Sequence, residues 1–333
     1  MKRLLLLAVL LLAAVSLFGA EKSDVLIAPN GTVFSVASEP SEDGFTSSLA
    51  LTIQAGEKSS RSVVPDSVDN GINSHPVLAY DADSDTLFVF WQRVSKDTAS
   101  DLLIASYQKD VWDPATVIDS KQVVRYSLSV GITRSVRSQL RDGSTETIPA
   151  LVLHAAWWEE GADGKDQGAH YAVMGLRGGA VVDPDVHDMS EYQRDATSDE
   201  KINKDFLRQV AILDGPTPDA VDVLYADPRT KSFYRTTLRP ILDGRLHIPV
   251  GSRPGSKLGG PHGLSIDWSG QSGAMSSRDG GTIIFYNIGA EKVTYIQVSD
   301  GKWSDAQQVV LSSKVTADAA ISALAKKLAA ATQ

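Results

Sequence analysis

The stretch that decides the fold is HPVLAYDADSDTLFVFWQR, residues 75–93. Its two apolar segments, residues 76–80 and 87–91, are rich in strand-favouring residues, and a polar turn separates them. A third strand-like segment, LLIASYQ, follows, and then a short turn, a tryptophan and the valine-bearing segment VWDPATV. One such unit therefore predicts four strands joined by turns.

The same unit recurs along the chain. The order of strand, turn, tryptophan, alanine and valine in residues 104–120 returns in YIQVSDGKWSDAQQVVLS, residues 295–312. Three weaker copies, beginning at Leu51, Val173 and Thr236, keep the strand, turn and strand but lack the tryptophan. Another pair of strand-like segments precedes each copy. Because four-stranded sheets stacked around an axis bury faces that one sheet alone exposes, we predict an all-β, five-bladed β-propeller.

The predicted propeller occupies residues 21–312. Its blades lie at about residues 24–70, 71–121, 122–200, 201–255 and 256–312. The third interval is long and the position of its first strand is not defined, which leaves six blades as the alternative. There is no cysteine in the chain, so its stability depends on a packed core, and disulfides and thiolate chemistry are excluded.

The two ends of the chain differ from the middle. Residues 1–20, MKRLLLLAVLLLAAVSLFGA, have the basic start, apolar run and small residues of a signal peptide. Export to a periplasm or out of the cell follows, and an uncleaved anchor is the alternative. Residues 313–333 predict an amphipathic C-terminal helix, because Thr316 can cap it and apolar residues form a stripe. We expect it to pack on the propeller, with docking to a partner as the alternative.

Charge and hydropathy limit the partners. The 333-residue chain has a formal charge of -9, which becomes -11 once Lys2 and Arg3 leave with the signal peptide. Nucleic acid is therefore an unexpected partner. No segment after residue 20 has the ~20 continuous apolar residues of a membrane span. We expect a monomer that spans no membrane after cleavage and binds a protein or a carbohydrate.

The three aspartates Asp81, Asp83 and Asp85 are spaced like the first oxygen ligands of a calcium loop. Such a loop also needs glycine at its sixth position and glutamate at its twelfth, where this chain has Thr86 and Gln92. We therefore predict a hairpin turn whose aspartates bond nearby backbone amides. Calcium at these aspartates is the alternative, and no other cofactor is expected.

The combination HPVLAYD, LFVFWQR and DLLIASYQKDVWDPATV resembles the sialidase-like, or BNR-repeat, β-propellers. The resemblance implies a propeller fold and, for the enzymes of that family, three arginines, a Tyr and Glu pair, an Asp acid, an Arg-Ile-Pro motif and several Asp boxes. The nearest segment to an Asp box, SSRDGGTI at residues 276–283, is one residue short and ends in isoleucine. The only Arg-Pro pairs, at Arg239 and Arg253, lack the intervening residue.

Loops before the first strand and after the second strand of propeller blades gather on one face, which makes that face the expected site. Its candidate ligand-binding residues are His75, Trp91, Arg93, Trp158, Glu159, Asp227, His262 and Arg278. Glu159 and Glu160 are neighbours in a strand, so they are expected to point to opposite faces.

Aromatic, arginine and acidic side chains together suit a sugar or a peptide. We therefore expect an exported, non-catalytic propeller that binds a protein or glycan through one face. A divergent sialidase-like glycoside hydrolase is the first alternative. A structural component of an envelope complex, docked through the C-terminal helix, is the second.

Overall fold

The computed structural model describes residues 23–42, 45–68, 71–95, 100–161, 168–177, 180–192, 208–227, 232–249, 255–259, 271–276, 282–289, 292–300 and 302–311. These residues form 24 β-strands and one 3-10 helix, Met189–Tyr192, so the predicted all-β class is confirmed. Among them, no helix has the length and hydropathy to span a bilayer. The predicted signal peptide and C-terminal helix lie outside the described residues.

The chain divides into two compact units, Met1–Lys121 and Gln122–Gln333. The boundary coincides with the predicted boundary between the second and third repeats. We call them the N-terminal unit and the C-terminal unit and describe each by itself.

The N-terminal unit holds two antiparallel sheets. Sheet 1 has the order β1-β2-β3-β4, and sheet 2 has the order β5-β6-β7-β8, with β9 also pairing β7. The strands are β1 (Ser23–Ile27), β2 (Val33–Pro40), β3 (Ser47–Ala55), β4 (Lys58–Val63), β5 (Ile72–Asp81), β6 (Thr86–Val94), β7 (Ser100–Gln108), β8 (Val111–Trp112) and β9 (Thr116–Lys121). One apolar core joins the two sheets, with Leu49, Leu51, Val89 and Trp91 among its buried members.

The C-terminal unit holds three sheets. Sheet 3 has the order β13-β12-β11-β10-β17-β18, sheet 4 the order β14-β15-β16-β19, and sheet 5 the order β20-β21-β22-β23, with β24 also pairing β22. The strands are β10 (Val123–Gln139), β11 (Thr145–Gly161), β12 (Gly168–Arg177), β13 (Ala180–Asp188), β14 (Val210–Asp214), β15 (Val221–Asp227), β16 (Ser232–Leu238), β17 (Ile241–Leu242), β18 (Leu246–His247), β19 (Ser256–Gly259), β20 (Gln271–Ser276), β21 (Thr282–Ile288), β22 (Lys292–Ser299), β23 (Lys302–Trp303) and β24 (Gln307–Val310).

Four of these sheets contain an uninterrupted run of four consecutive strands, which is the pattern of a propeller blade. Sheet 4 departs from it, because β17 and β18 leave its path between β16 and β19 and join sheet 3 instead. The prediction of five like blades is therefore wrong: the structure has four uninterrupted blades. The cause is the 17-residue strand β10, whose far half extends past the blade and pairs with β17 through Arg137 and Ser138.

In sheets 2 and 4 the second strand is the most buried one. In β6 the run from Thr86 to Gln92 is buried without interruption, and β15 is buried along its whole length. A strand covered on both faces reads as a continuous apolar run instead of an alternating one. This explains why LFVFWQ and VDVLYAD show no polar alternation.

The repeated tryptophans connect neighbouring sheets within each unit. The Trp112 indole donates to Ser62 Oγ of sheet 1 at 3.2 Å, and the Trp303 indole donates to the Leu258 carbonyl of sheet 4 at 2.8 Å. After each tryptophan the outer strand breaks and then resumes, as β9 or β24. The feature that defines the sequence repeat is therefore a contact between sheets.

The turn after β5 has the predicted hairpin form. Asp81 pairs with Thr86 across it, and the Asp81 carboxylate accepts the backbone amide of Ser84 at 3.0 Å and its hydroxyl at 2.6 Å. Tyr80 donates to Asp85, which has a left-handed backbone with φ of 52°. Among the described residues, no three Asp, Glu or His side chains are grouped closely enough to hold a metal ion. The turn is confirmed, and hydrogen bonds account for Asp81 and Asp85.

Candidate functional site

The candidate site is the end of each sheet at which its first strand begins and its second strand ends. In the N-terminal unit we call this end of sheet 2 the N-terminal rim, formed by residues 71–77 and 90–95. In the C-terminal unit the same end of sheet 3 is the C-terminal rim, formed by residues 122–128 and 156–161. Most of the predicted site residues that the structure describes lie in these two rims.

Each rim contains a β-bulge with a left-handed, non-glycine residue. In β5 the register shifts between Ser74 and Val77, and His75 has φ of 51°. In β10 the register shifts between Tyr126 and Leu128, and Ser127 has φ of 46°. Such backbone costs of order 1 kcal/mol or more and is concentrated at functional sites, where bulges redirect side chains.

A buried asparagine organises the N-terminal rim. The Asn73 amide nitrogen donates to the carbonyls of Ser47 and Ser67, at 2.5 and 2.8 Å, and its oxygen accepts the Trp91 indole at 3.0 Å. Asn73 and Trp91 are both fully buried. Since every polar group of this side chain has a partner, the cluster holds the rim in one conformation.

Both ionisable side chains of the N-terminal rim, Arg93 and His75, are partly exposed. Arg93 bonds Asp101 at 2.7 Å and donates to the Asp66 carbonyl at 3.2 Å. His75 lies in the bulge and contacts Ser74 Oγ at 3.0 Å. Ile72, at the start of β5, is 51% exposed. The rim therefore presents a cation, an imidazole and an apolar side chain.

The C-terminal rim has a buried charged cluster on one face of β11. Glu159 is 4% exposed and accepts the Trp157 indole at 3.0 Å. His170 Nε2 lies 3.2 Å from Glu159 Oε1, and Arg125 Nε lies 3.8 Å from Oε2, the oxygen that accepts the indole. Trp157 also stacks on the His170 ring, with centroids 5.9 Å apart. Because a buried carboxylate is stable only when paired, this set acts as one unit.

The opposite face of the same strand end carries a second, more accessible cluster. Glu160 accepts Arg208 Nη2 at 2.9 Å, and the Arg208 guanidinium lies 4.1 Å from the centre of the Tyr126 ring. Tyr126 and Arg208 are partly exposed. Glu159 and Glu160 thus point to opposite faces, as strand geometry predicts. The result is an aromatic and guanidinium surface beside the Ser127 bulge.

Several predicted ligand-binding residues are buried instead of exposed. Trp91, Trp158, Glu159 and Asp227 are 0, 1, 4 and 1% exposed, so these side chains lie beneath the surface, and their assignment to a ligand-binding face stays a prediction. They lie in the buried parts of β6, β11 and β15. His75 and Arg93 are partly exposed, as a ligand contact requires. His262 and Arg278 lie outside the described residues.

Sequence reasoning missed the residues that face these tryptophans and acids from the neighbouring strands. They are Asn73, Arg125, Tyr126, His170 and Arg208. A signal was present for Arg125, Tyr126 and Arg208, which stand just before or at the start of a first strand, as His75 does. The partner of Trp91 could not be read from the sequence, because the bulge shifts the register between β5 and β6.

The displaced pKa values of carboxyl groups in the described residues are all lowered. A hydrogen bond from the Ser144 side chain lowers the pKa of Asp142. Burial raises the pKa of Asp219, but hydrogen bonds and the charge of Arg137 lower it more.

No protein-family model matches the sequence, and no curated protein matches it. Several solved structures resemble it in fold. A Hadza microbial sialidase, Hz136, has 12% identity and a TM-score of 0.43, over 88% of this chain and 58% of that chain. A Penicillium chrysogenum alpha-L-arabinanase has 12% identity and a TM-score of 0.47, over 87% and 81%. The GH93 alpha-L-arabinofuranosidase of Fusarium graminearum has 11% identity and a TM-score of 0.44, over 88% and 77%.

These likenesses concern the fold alone, and this chain spans little more than half of the sialidase. Identities of 10–12% and TM-scores below 0.5 carry no argument about activity. The up-and-down sheets agree with the resemblance drawn from residues 75–117. The blade-like, four-strand sheets that this resemblance implies are thus present in both units.

Proposed function

We propose that the protein is an exported, non-catalytic propeller-type protein that binds a protein or glycan ligand at its rims. The observation that carries this proposal is the pair of left-handed bulges at His75 and Ser127, each in the first strand of a rim. Strained backbone persists where the surrounding structure holds it, and it favours a binding role for the side chains that it presents.

The chemistry around the bulges supports binding. In the C-terminal unit, Arg208 stacks on Tyr126, and both remain partly exposed. A flat aromatic and guanidinium surface suits the apolar faces and hydroxyl groups of a sugar or the planar groups of a peptide. In the N-terminal unit, Arg93 and His75 stand beside the exposed Ile72.

The acids of the rims argue against hydrolysis. A glycosidase uses two carboxyl groups on either side of the scissile bond, one of which must give up a proton to the leaving group. Glu159 is buried beside Arg125 and His170, and Glu160 is bound to Arg208. Asp101 is bound to Arg93. Each of these acids therefore serves the rim as a structural partner.

The test compares variants of the rim with matched variants at the far end of the same unit. Arg208→Ala removes the stacked cation, and Arg137→Ala is its control, since Arg137 pairs with Asp219 and is 41% exposed. Ile72→Ser changes the N-terminal rim, and Val111→Ser is its control, at 64% exposure. We expect both rim variants to lose retention on a glycan array or on immobilised envelope proteins, while both controls keep it.

A hydrolysis assay separates the two readings of the fold. The mature chain is incubated with fluorogenic sialoside, arabinofuranoside and xyloside substrates. We expect no release above the rate without protein. Release that is abolished by Glu160→Gln would replace the binding proposal with a glycosidase.

A further inference from the structure

We infer that Asn30 is a site of spontaneous covalent modification, at which the side chain cyclises onto the following glycine and converts to aspartate or isoaspartate. This inference does not depend on the ligand proposed above. It rests on the geometry of the turn between β1 and β2, where Asn30 and Gly31 are both exposed.

The turn is a three-residue loop rather than a two-residue Asn-Gly turn. Ala28 donates its backbone amide to the Thr32 carbonyl at 2.8 Å, and Gly31 donates to the Ala28 carbonyl at 2.9 Å. Gly31 has φ of 84°, and an added Cβ there meets nothing within 4 Å. The side of Gly31 on which a side chain would stand is therefore open to solvent.

The Asn30 side chain is held in an activated arrangement. Its oxygen, Oδ1, accepts the backbone amide of Thr32 at 2.9 Å. Attack on Cγ turns this oxygen into an oxyanion, and a donor already directed at it stabilises that charge. No hydrogen bond to Nδ2 holds the leaving nitrogen in the described structure. The electrophile is thus polarised and the leaving group is open to water.

The reaction balances with water as the only co-reactant. The Gly31 nitrogen attacks Asn30 Cγ, so that a nitrogen–carbon bond forms and the Cγ–Nδ2 bond breaks. The amide proton of Gly31 passes through solvent to the departing nitrogen, and ammonia leaves. Water then opens the five-membered ring at either carbonyl, which gives aspartate or isoaspartate.

One contact opposes the reaction. The bond from the Gly31 amide to the Ala28 carbonyl must break before the nitrogen can attack. An exposed backbone hydrogen bond is weak, because water replaces it at little net cost, whereas the Thr32 amide stabilises the charge that develops on Oδ1 during the attack. The balance favours reaction in the folded turn.

The consequence is local to sheet 1. Conversion adds one negative charge to the turn, and isoaspartate adds one atom to the backbone of the three-residue loop. The register that pairs Ile27 with Val33 starts at this loop. The modified chain is therefore expected to open the β1–β2 end of sheet 1 more readily.

The chain carries its own controls for the test. Asn73 is fully buried and fully bonded, and Asn287 is 6% exposed within β21. The full chain is aged in mildly alkaline buffer, digested, and its asparagine peptides are quantified by mass spectrometry. We expect the amount of conversion at Asn30 to be at least about ten times that at Asn73 or Asn287. Equal conversion at the three positions overturns the inference.

A second measurement isolates the contribution of the fold. Ageing the chain in urea gives the rate of asparagine conversion in the unfolded Asn-Gly sequence. Asn70, which also precedes a glycine, is the reference for that unfolded rate. We expect the native rate at Asn30 to equal or exceed the urea rate. A native rate several-fold lower means that the turn protects Asn30, and it overturns the inference. The Asn30→Gln variant must show no conversion at residue 30.

Discussion

Replacing Asn73 with alanine is expected to destabilise the N-terminal unit more than any other single polar change at its rim. The substitution removes three hydrogen bonds and leaves the Trp91 indole and the carbonyls of Ser47 and Ser67 without this partner. All of these groups lie in a buried region, and each buried group that loses its bond costs ~1–3 kcal/mol. The expected loss is about 3–5 kcal/mol.

Trp91→Phe separates one of these bonds from the rest. It keeps the ring and removes the donor to Asn73, so the expected loss is about 1–2 kcal/mol. Because both single variants remove the same bond, the double variant should be less destabilised than their sum, by about 1 kcal/mol. Ser38→Ala is the control, since the Asn73 carbonyl keeps Ser47 Oγ when it loses Ser38 Oγ. Its expected loss is under about 1 kcal/mol.

Hydrogen exchange followed by mass spectrometry is the appropriate assay, because a chain of two units need not unfold in one step. Peptides from β3 and β5 report the free energy of opening of the N-terminal unit, and peptides from β12 report the C-terminal unit. An Asn73→Ala variant that opens with an unchanged free energy in β3 would refute the role given to this residue. The role would also be refuted if the destabilisation of the Asn73→Ala and Trp91→Phe double variant equalled the sum of the two single variants.

Three further variants test the packing and electrostatics of the sheets. His154 is fully buried, and this burial lowers its pKa to about 3. In the unfolded chain the same imidazole takes up a proton below its ordinary pKa of about 6.5. The free energy of unfolding should therefore fall by ~1.4 kcal/mol for each pH unit between about 6 and 3. Acid unfolding of His154→Gln should be less steep by that amount, and an unchanged slope would contradict the burial. Lys109 and Asp110 are consecutive left-handed residues in the β7–β8 turn, with φ of 51° and 62°. Because glycine adopts this backbone without steric cost, Lys109→Gly should raise the free energy of unfolding by about 1 kcal/mol. Its control, Lys121→Gly in the extended strand β9, should lower the free energy of unfolding. Trp303→Phe removes the bond to the Leu258 carbonyl and should cost ~1–2 kcal/mol in urea unfolding of the C-terminal unit, with no change in the N-terminal unit.

The sequence predicts the sheets well because their turns and strands are local features. Residues 75–93 form the hairpin that their pattern predicts, and the repeat with Trp112 and Trp303 marks outer strands in both units. The blade count fails where a non-local contact intervenes. The pairing of Arg137 with Ile241 spans more than a hundred residues, and no local pattern marks it.

The site was predicted only in part, for a related reason. The sequence indicates which strand end carries Trp91, Trp158 and Glu159, but not which side chains cover them. Second strands are buried on both faces, so their terminal aromatic residues become core and the accessible residues come from first strands. Tyr126 and Arg208 belong to first strands or their approaches, and their stacking requires sheets 3 and 4 to be adjacent.

Binding of a ligand at the rims without cleavage is tested most directly by mass spectrometry of a glycan array after incubation with the mature chain, with bound protein quantified at each spot. We expect retention at one or more spots with glycan masses unchanged, and loss of that retention in Arg208→Ala but not in Arg137→Ala. Spots at which the glycan mass falls by one or more sugars, in wild type and not in Glu160→Gln, would contradict it.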